Sequence, residues 1–402
     1  MSLRARPSGA PSAARWRLTG IGHLQIIGVT RAIVYPIIQA DPMRSFIDLD
    51  KTFGSQPVRL GARLARIDVG RGREGLYRDQ LPQLLDALAD ATRIESITAS
   101  SAIEGVVVEA GRIRGLVAEG AEPRRFRNRN EREFAGYRDA MDEISRATDL
   151  EALSVPYVLH LHRLLLGHTD GGGGRIKSEQ NLIVSHAHGH REVLFTPPSP
   201  RETEFLLPDL FDRYRQAVAD EAAHPILLIG ALVLDFLAIH PVADGNGRLA
   251  RLITTHTLLQ QGYSVSRYVS IEQRMLETRD AYYDAVYASQ RRWREGEHDV
   301  WPWIGYLVDV LVDAYEDFES RVVARRNLAA GSKQDQVKRY ILDHAPSVFR
   351  FRDVRAALPG IGDPTIKRVL ADLRRDGAIE LVDDHASGRL AAWRRRVHDT
   401  GE

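Results

Sequence analysis

The residues with the clearest chemical potential form one short run, HPVADGNGRLAR (residues 240–251), between two apolar segments. A glycine-rich turn that leads into a helix presents free backbone N–H groups, and the helix dipole adds partial positive charge there. Gly245 and Gly247 allow a positive φ and a close approach of the backbone to a ligand, and Asn246 tolerates such a conformation. Arg248 can bind a phosphate oxygen through its guanidinium. The run therefore predicts an anion-binding nest suited to phosphates.

Two further side chains of the run supply acid–base and metal chemistry. His240 ends the preceding apolar helix, and its neutral imidazole can take a proton from an incoming hydroxyl. Asp244 offers hard oxygen ligands suited to a Mg²⁺ ion that bridges phosphates. Arg251 follows Arg248 by about one helical turn and lies on the same face. Together these groups favour attack on a nucleotide phosphate, whereas a lone glycine turn would indicate only a helix–loop–helix connection.

The segments that must position this run are mostly helical. Apolar residues three and four apart predict helices at residues 81–103, 127–145, 155–168, 202–218, 224–240, 248–261, 275–292 and 301–326. Gly105 is expected to end the first of them. HTDGGGGR (residues 168–175) predicts a flexible loop, and residues 181–198 predict a β-hairpin with a polar tip. The fold class is therefore mainly α with one hairpin.

The C-terminal part has a different composition. NLAAGSK (residues 327–333) is predicted to be a linker. Helices are expected at residues 335–344, 349–358 and 363–377, and strands at residues 378–382 and 390–396. Asp363 is expected as the N-cap of the third helix, with Pro364 in its first turn. Helix, helix, helix, hairpin is the order of a winged helix-turn-helix domain.

Composition limits the class of protein. The net charge is +1 over 402 residues, so the chain as a whole does not strongly attract nucleic acid. The absence of cysteine excludes disulfides, thiolate zinc sites and cysteine nucleophiles, and fits a cytoplasmic location. The apolar residues 23–40 contain Arg31 and Pro36, which makes a membrane span or a signal peptide a poor interpretation. Residues 1–45 are expected to be a disordered or mis-assigned extension, with Met43 as another start.

The opening run resembles the signature of Fic domains, H-P-F-x-[D/E]-G-N-G-R-x-x-R, which belong to proteins that transfer AMP from ATP to protein hydroxyls. It departs from that pattern at Val242, where phenylalanine is usual, and this puts the rate in doubt more than the reaction. The resemblance implies that His240 is the base and that Asp244 holds Mg²⁺. It also implies that residues 245–248 bind the phosphates of ATP and that Arg251 orients the γ-phosphate.

The resemblance extends over roughly residues 81–317. IKSEQNLIVS and FTPPSP resemble the hairpin flap that holds the target segment over the site, and YVSIEQRMLETRDAYYDAVYASQ is similar to the segment that closes over the adenine. The resemblance implies that Leu182, Ile183, Val184 and Ser185 line the nucleotide-binding site. It also implies that Tyr282, Tyr283 and Gln290 lie near the adenine.

A second, shorter motif lies upstream. ESITASSAIEG (residues 95–105) resembles the inhibitory helix of Fic proteins, [S/T]-x-x-x-E-[G/N], with Ser100, Glu104 and Gly105 at the matching positions. If this helix packs on the core, Glu104 can pair with Arg251 and remove it from the γ-phosphate. The motif alone is weak, because an exposed glutamate at a helix end is common.

These observations predict a mainly α Fic-fold bundle with a flap and a small C-terminal winged helix-turn-helix domain. We expect an extension at residues 1–45, a helical region with the inhibitory helix at 46–135, a Fic domain at 136–326 and the winged helix at 333–396. The predicted function is a self-inhibited, Mg²⁺-dependent protein adenylyltransferase. Its partners would be ATP and a protein with a Tyr, Ser or Thr hydroxyl; self-modification, a homodimer and DNA at the C-terminal domain stay open, and no membrane is expected.

Alternative interpretations remain at this stage. The enzyme could instead remove AMP or transfer another phosphate-bearing group, or the chain could be a DNA-binding regulator whose Fic domain only senses nucleotide.

GRGREG (residues 70–75) satisfies a dinucleotide-binding pattern, but no βαβ continuation follows, so an arginine-rich loop is favoured. His186, His188 and His190 alternate at the hairpin tip, where solvated histidines are more common than a metal site.

Overall fold

The computed structural model describes residues 26–28, 44–118, 126–146, 150–187, 190–329, 332–382 and 391–395. The side chains of residues 26–28, 185–187, 190–191 and 327–329 are outside this description. The chain divides into two compact units, residues 1–316 and 317–402, and each is described by itself. In the described ranges, no helix combines the length and the apolar character needed to cross a bilayer.

The first unit is mainly helical. Its helices are α1 (Leu49–Phe53), α2 (Leu60–Gln80), α3 (Pro82–Ile103), α4 (Ala110–Val117), α5 (Arg129–Arg146), α6 (Val155–Leu165), α7 (Pro200–Ala219), α8 (Pro225–Ile239), α9 (Asn246–Gln260), α10 (Ile271–Glu277) and α11 (Arg279–Gln290). The long helix α12 (Trp301–Ala329) begins in this unit. The prediction of a mainly helical fold with a β-hairpin is confirmed.

One small antiparallel sheet accompanies the helices. Strands β2 (Asn181–Ala187) and β3 (His190–Phe195) form the predicted hairpin, and β1 (Ile26–Gly28) pairs with the other edge of β2. The strand order is therefore β1-β2-β3. The tip residues 188 and 189 lie outside the described residues.

The core of this unit lies around α8. This helix, PILLIGALVLDFLAI, is apolar on all sides, and every residue from Ile226 to Ile239 is buried. A helix without a polar face has to be surrounded, and α8 packs against α7, α9 and α11. Helix α9 is also buried over most of its length. The connection between α8 and α9 (residues 240–245), which is the first half of the HPVADGNGRLAR run, is therefore held between two rigid elements.

A buried carboxylate ties distant parts of the chain to α8. Asp235 is fully buried, and its Oδ1 accepts hydrogen bonds from Ser45 Oγ at 2.8 Å and from Trp293 Nε1 at 2.6 Å. Burial raises the pKa of Asp235 to about 6 despite these donors. Because an unpaired buried acid would be costly, these contacts fix the segment at Ser45 and the loop at Trp293 against the helix.

The second unit is built from short elements. They are α13 (Lys333–Arg339), a π-helical turn at Tyr340–His344, β4 (Val348–Arg350), α14 (Phe351–Ala357), α15 (Asp363–Arg375), β5 (Ile379–Leu381) and β6 (Ala392–Arg395). The strands form an antiparallel sheet of order β4-β6-β5. Its core includes Phe349, Val354, Ile366 and Leu373.

Three local predictions for the C-terminal region are corrected. The linker does not begin at residue 327, because α12 continues to Ala329. Residues 348–350 pair as a strand with β6 instead of belonging to a helix, because Phe349 is needed on the sheet core. The N-cap of α15 is Gly362, one residue before Asp363.

The GRGREG segment is neither a loop nor part of a nucleotide-binding turn. It lies inside α2, which runs without interruption through all three of its glycines. Gly70 is buried, and a Cβ built there would lie 2.5 Å from the ring of Tyr315. A Cβ at Gly72 would meet nothing within 4 Å. The packing of α2 against Tyr315 therefore explains why residue 70 is a glycine. This packing stabilises the helix by more than the low helix propensity of the three glycines destabilises it.

The two glycines give a matched test of this packing. Gly70→Ala should destabilise the protein by about 1–3 kcal/mol, because the added methyl group overpacks against Tyr315. Gly72→Ala should stabilise it by about 0.5–1 kcal/mol, since alanine is the better helix former and the site is open. Chemical denaturation of both variants measures the difference, and equal effects would contradict the packing.

Candidate active site

The loop between α8 and α9 depends on two left-handed residues. His240 has φ 51° and ends α8, and Gly245 has φ 87° and precedes the first residue of α9. A positive φ is uncommon for a residue other than glycine, asparagine or aspartate and concentrates at functional sites. The two left-handed residues turn the chain sharply between the end of α8 and the start of α9.

The geometry of His240 suits a general base. Its Nδ1 lies 3.2 Å from the carbonyl oxygen of Leu237, which can only accept, so this contact needs the proton on Nδ1. Nε2 then keeps its lone pair, and this buried atom has no hydrogen-bond partner among the described residues. Burial, together with the charge of Lys177, lowers the pKa of His240 to about 4. The ring is therefore neutral at physiological pH and ready to accept a proton.

Asn246 holds the loop instead of pointing at a ligand. Its Oδ1 accepts from the backbone N–H of Val242 at 3.0 Å, and its Nδ2 donates to the carbonyl of Val242 at 2.7 Å. Both residues are fully buried. Any contact of Asn246 with a phosphate is thus left to its backbone N–H. Val242 remains an apolar anchor of the loop despite being smaller than the phenylalanine of the signature.

Sequence analysis missed the side chains that brace this loop. Lys177 Nζ donates to the carbonyl of Ile239 and to Oδ1 of Asn181, both at 3.0 Å. Asn181 Nδ2 in turn donates to the carbonyl of Val242 at 3.1 Å. Both side chains are buried, and burial lowers the pKa of Lys177 to about 7. The only sequence signal for these two side chains was that Lys177 and Asn181 are polar residues four positions apart at the start of a predicted strand.

His162 braces the other side of the loop. Its Nδ1 accepts from the backbone N–H of Gly174 at 3.0 Å, so its Nε2 carries the proton and donates to the carbonyl of Asp244 at 3.2 Å. Burial lowers the pKa of His162 to about 4, which keeps it neutral. This histidine fixes the backbone of Asp244 and leaves the carboxylate free to face solvent.

The carboxylate of Asp244 fits the predicted Mg²⁺. Its side chain is 51% exposed, and Oδ1 lies 3.7 Å from Arg248 Nη2. No cluster of three or more acidic, histidine or cysteine ligands occurs among the described residues. A metal here would take one protein carboxylate and complete its shell with phosphate oxygens and water, which is the usual pattern for Mg²⁺.

Arg248 is held by an acid from another helix. Its Nη1 donates to Oε2 of Glu133 at 2.9 Å, and Oε1 of Glu133 accepts from Arg129 Nε at 2.5 Å. The side chains of Arg248 and Glu133 are buried, whereas that of Arg129 is 72% exposed. Glu133 was not singled out from the sequence, because nothing local indicates that α5 faces α9.

Arg251 is buried against the C-terminal end of α3. Its Nε donates to Ser100 Oγ at 2.7 Å, and its Nη2 donates to the Ser100 carbonyl at 3.1 Å and to Oε1 of Glu104 at 2.9 Å. Only 2% of the Arg251 side chain is exposed. The structure thus places Glu104 beside Arg251, the pair expected from the sequence, and adds Ser100 as a second partner of Arg251.

The Glu104 carboxylate lies directly over the start of α9. A Cβ built on Gly247 would be 2.4 Å from its Oε1. Burial works to raise the pKa of Glu104, but the charges of Arg251 and Arg248 outweigh it, so the pKa is lowered and the carboxylate is ionised. Gly105, with φ 78°, ends α3 as predicted. An anion from the same chain therefore occupies the mouth of the anion-binding nest.

The remaining predicted residues differ in how close they lie to this centre. Tyr282 and Tyr283 lie near Arg251 and Glu104: burial raises the pKa of both hydroxyls, and both charges act on them. Gln290 is buried at the far end of α11, and its Nε2 has no partner among the described residues. On β2, Val184 is fully buried and Leu182 and Ile183 are half-buried. The Ser185 side chain lies outside the described residues, as do those of His186, His188 and His190.

Residues 152–258 match the profile of the Fic/DOC family. The chain is distantly related to protein adenylyltransferase Fic: it is 30% identical to that of Drosophila ananassae over 112 residues and 28% identical to that of Culex quinquefasciatus over 153 residues. The matches cover 28% and 38% of this chain but only 20% and 26% of those relatives.

Solved structures agree with the Fic fold. A Fic family protein from Desulfovibrio desulfuricans G20 matches with a TM-score of 0.54 at 20% identity, over 87% of this chain and 98% of that one. A Fic domain containing signaling protein from Bacteroides thetaiotaomicron gives a TM-score of 0.53 at 20% identity, over 65% of this chain and 98% of that one. At these identities the likeness concerns the fold alone.

The brace at Lys177 should control the basicity of His240. Burial is the larger cause of the low pKa of His240 and remains in Lys177→Met, but the loss of a nearby positive charge stabilises the imidazolium, so this pKa should rise above about 4 while staying below its ordinary value. Histidine ring signals in an NMR titration measure this. Lys177→Arg keeps the charge and is the matched control, with His162 as an internal reference. An unchanged His240 titration in Lys177→Met would contradict the coupling.

Proposed function

We propose that the chain transfers AMP from ATP to a hydroxyl of a protein. The observation that carries this proposal is the neutral His240, whose buried Nε2 has no partner among the described residues and lies beside a backbone nest. A domain that only sensed nucleotide would need the nest but not an oriented base. The distant adenylyltransferase relatives support the same reaction.

In the proposed mechanism, His240 Nε2 takes the proton as a target hydroxyl oxygen attacks the α-phosphate. The new bond joins that oxygen to phosphorus, the bond to the β-phosphate breaks, and diphosphate leaves. The N–H groups at the start of α9 and Arg248 would stabilise the charge that develops on the α-phosphate. Mg²⁺, when held by Asp244, supplies positive charge that offsets the phosphates.

The contacts of Glu104 support self-inhibition. ATP carries its anionic phosphates to the place that this ionised carboxylate occupies, and Arg251 is already paired with it. Nucleotide bound beside Glu104 would hold its α-phosphate out of line with the hydroxyl, and misplacement by about 1 Å can cost ~100-fold in rate. Release of Glu104 would free Arg251 for the γ-phosphate.

Covalent labelling with α-labelled ATP and Mg²⁺ tests the mechanism. Glu104→Gly should raise label on protein about tenfold or more over wild type, because the competing carboxylate is gone. Adding His240→Ala should remove about 100-fold or more of that gain, as expected for loss of a general base.

The matched control for the brake is Glu109→Gly, which removes an exposed acid outside the site and should leave the label at the wild-type level. Label equal in Glu104→Gly and wild type would refute the brake. No label in any variant, with lysate supplied as target, would favour removal of AMP or a nucleotide-sensing regulator, and pre-labelled protein would then be the substrate to test.

We infer that the C-terminal unit is a winged helix that binds duplex DNA. The sheet order β4-β6-β5 beside α14 and α15 supports this, as does the exposed face of α15. That face carries Lys367, Arg368, Arg374 and Arg375. Arg375 is paired with Asp372 at 2.8 Å, so Lys367 and Arg368 are the cations of α15 most available to phosphates.

Fluorescence anisotropy of the full chain with labelled duplex DNA tests this inference. Lys367→Ala with Arg368→Ala should weaken binding by about tenfold and flatten the salt dependence, because two phosphate contacts are lost. Lys333→Ala with Lys338→Ala on α13 removes the same charge elsewhere in the unit and should have a smaller effect. Equal effects of the two pairs would contradict a role of α15 in recognition.

A further inference from the structure

A cavity of about 580 Å³ lies beside the catalytic loop, and Asp244 is the one residue of its lining to which the proposed mechanism gives a chemical role. It is bounded by the first turns of α5, by the glycine-rich loop before the flap, and by Asp244. Three arginines line it, Arg129, Arg132 and Arg175. The volume is sufficient for one or two side chains of a bound peptide.

The arginines of this cavity have unused hydrogen-bonding capacity. Arg132 Nε is buried and has no partner among the described residues. Arg175 is exposed, and no described acid lies within ion-pair distance of it. Arg129 shares Glu133 with Arg248 and still exposes 72% of its side chain. Guanidinium groups of this kind bind carboxylates with two parallel hydrogen bonds.

The position of the cavity relates it to the protein substrate. Lys177 lines it, and the backbone N–H of Lys177 donates to the carbonyl of Pro241, the residue after His240, at 2.9 Å. The flap strand β2 begins four residues later, at Asn181. A peptide that presents its hydroxyl to His240 along the flap therefore has its neighbouring residues close to this cavity.

The glycine-rich loop leaves the entrance open. A Cβ built on Gly171 or Gly172 would meet no atom within 4 Å, so a peptide backbone can approach there without displacing a side chain. Two acids, Asp170 and Asp244, also line the cavity, and both lie on its solvent side by exposure. The arginines outnumber them, which favours a ligand with negative charge.

We propose that this cavity binds an acidic side chain of the protein segment whose hydroxyl is modified, and so sets target specificity. The proposal rests on AMP transfer as the function of the neighbouring site. The ligand is a carboxylate presented next to the target hydroxyl, held by Arg132 and Arg175. The diphosphate that leaves ATP is also an anion that arginines can bind, and the experiment distinguishes the carboxylate from the diphosphate as the ligand of the cavity.

The experiment compares short peptides that carry a central Tyr, Ser or Thr flanked by glutamates or by glutamines. Binding to the full chain is measured by fluorescence anisotropy without ATP, and AMP transfer is measured in the Glu104→Gly background. Glutamate peptides should be preferred about tenfold in both measurements, as expected for a charge-assisted contact. Arg132→Gln with Arg175→Gln should remove this preference.

Two further variants sharpen the test. Arg175→Glu should reverse the preference toward peptides flanked by lysine. Arg215→Gln is the control, because Arg215 lines a separate cavity of about 570 Å³ that contains no residue of the catalytic run, and it should keep the preference for glutamate.

The outcomes distinguish a failure of the cavity proposal from a failure of the proposed AMP transfer. Equal binding of glutamate and glutamine peptides, in a protein that transfers AMP, would overturn the cavity proposal and leave the function intact. Weaker inhibition by inorganic pyrophosphate in Arg132→Gln with Arg175→Gln, without a change in peptide preference, would assign the cavity to diphosphate and overturn it as well. Selective binding of glutamate peptides without any transfer would support the cavity while the proposed function fails.

Discussion

The buried guanidinium of Arg251 is the constraint on which the site depends. A charge that is only 2% exposed is costly unless it is paired and hydrogen-bonded. Ser100 and Glu104 supply the partners; Ser100 lies in the last turn of α3 and Glu104 is its C-cap residue. The end of α3 must therefore dock on α9, and this docking delivers a carboxylate to the phosphate nest. The same interaction that stabilises the fold would, under the proposed function, also inhibit AMP transfer.

The other charged groups of the site follow the same logic. Arg248 is paired with Glu133 on α5, and Glu133 also holds Arg129. Both arginines of the catalytic run are thus oriented by acids before any nucleotide binds. The phosphates of a nucleotide must either displace those acids from the arginines or bind the arginines beside them. His240 is the exception, because burial and the positive charge of Lys177 keep it neutral and leave its Nε2 unpaired. Transfer of a phosphate-bearing group requires an unprotonated base that takes the proton of the attacking hydroxyl. It also requires preorganised positive charge that stabilises the phosphate.

Much of the fold follows from local sequence patterns. Helix α3 is marked by apolar residues three and four positions apart, α8 by a continuous apolar run, and the hairpin by β-prone runs around a glycine. Errors occurred where tertiary packing overrides a local preference. GRGREG looks like a loop, yet it is helical because Gly70 lies against Tyr315. Phe349 and Arg350 were predicted to begin a helix, yet Phe349 is needed in the core of a sheet.

The sequence by itself marked the candidate catalytic groups, since His240, Asp244 and the predicted nest lie within one loop whose geometry is local. It also pointed to Glu104, through a short motif. Only the tertiary structure decided which distant side chains hold that loop. Lys177 and His162 contact it from separate elements, and no local pattern shows that either side chain reaches the loop. Such contacts arise when buried backbone carbonyls must be satisfied, and which side chain reaches them depends on how the helices pack.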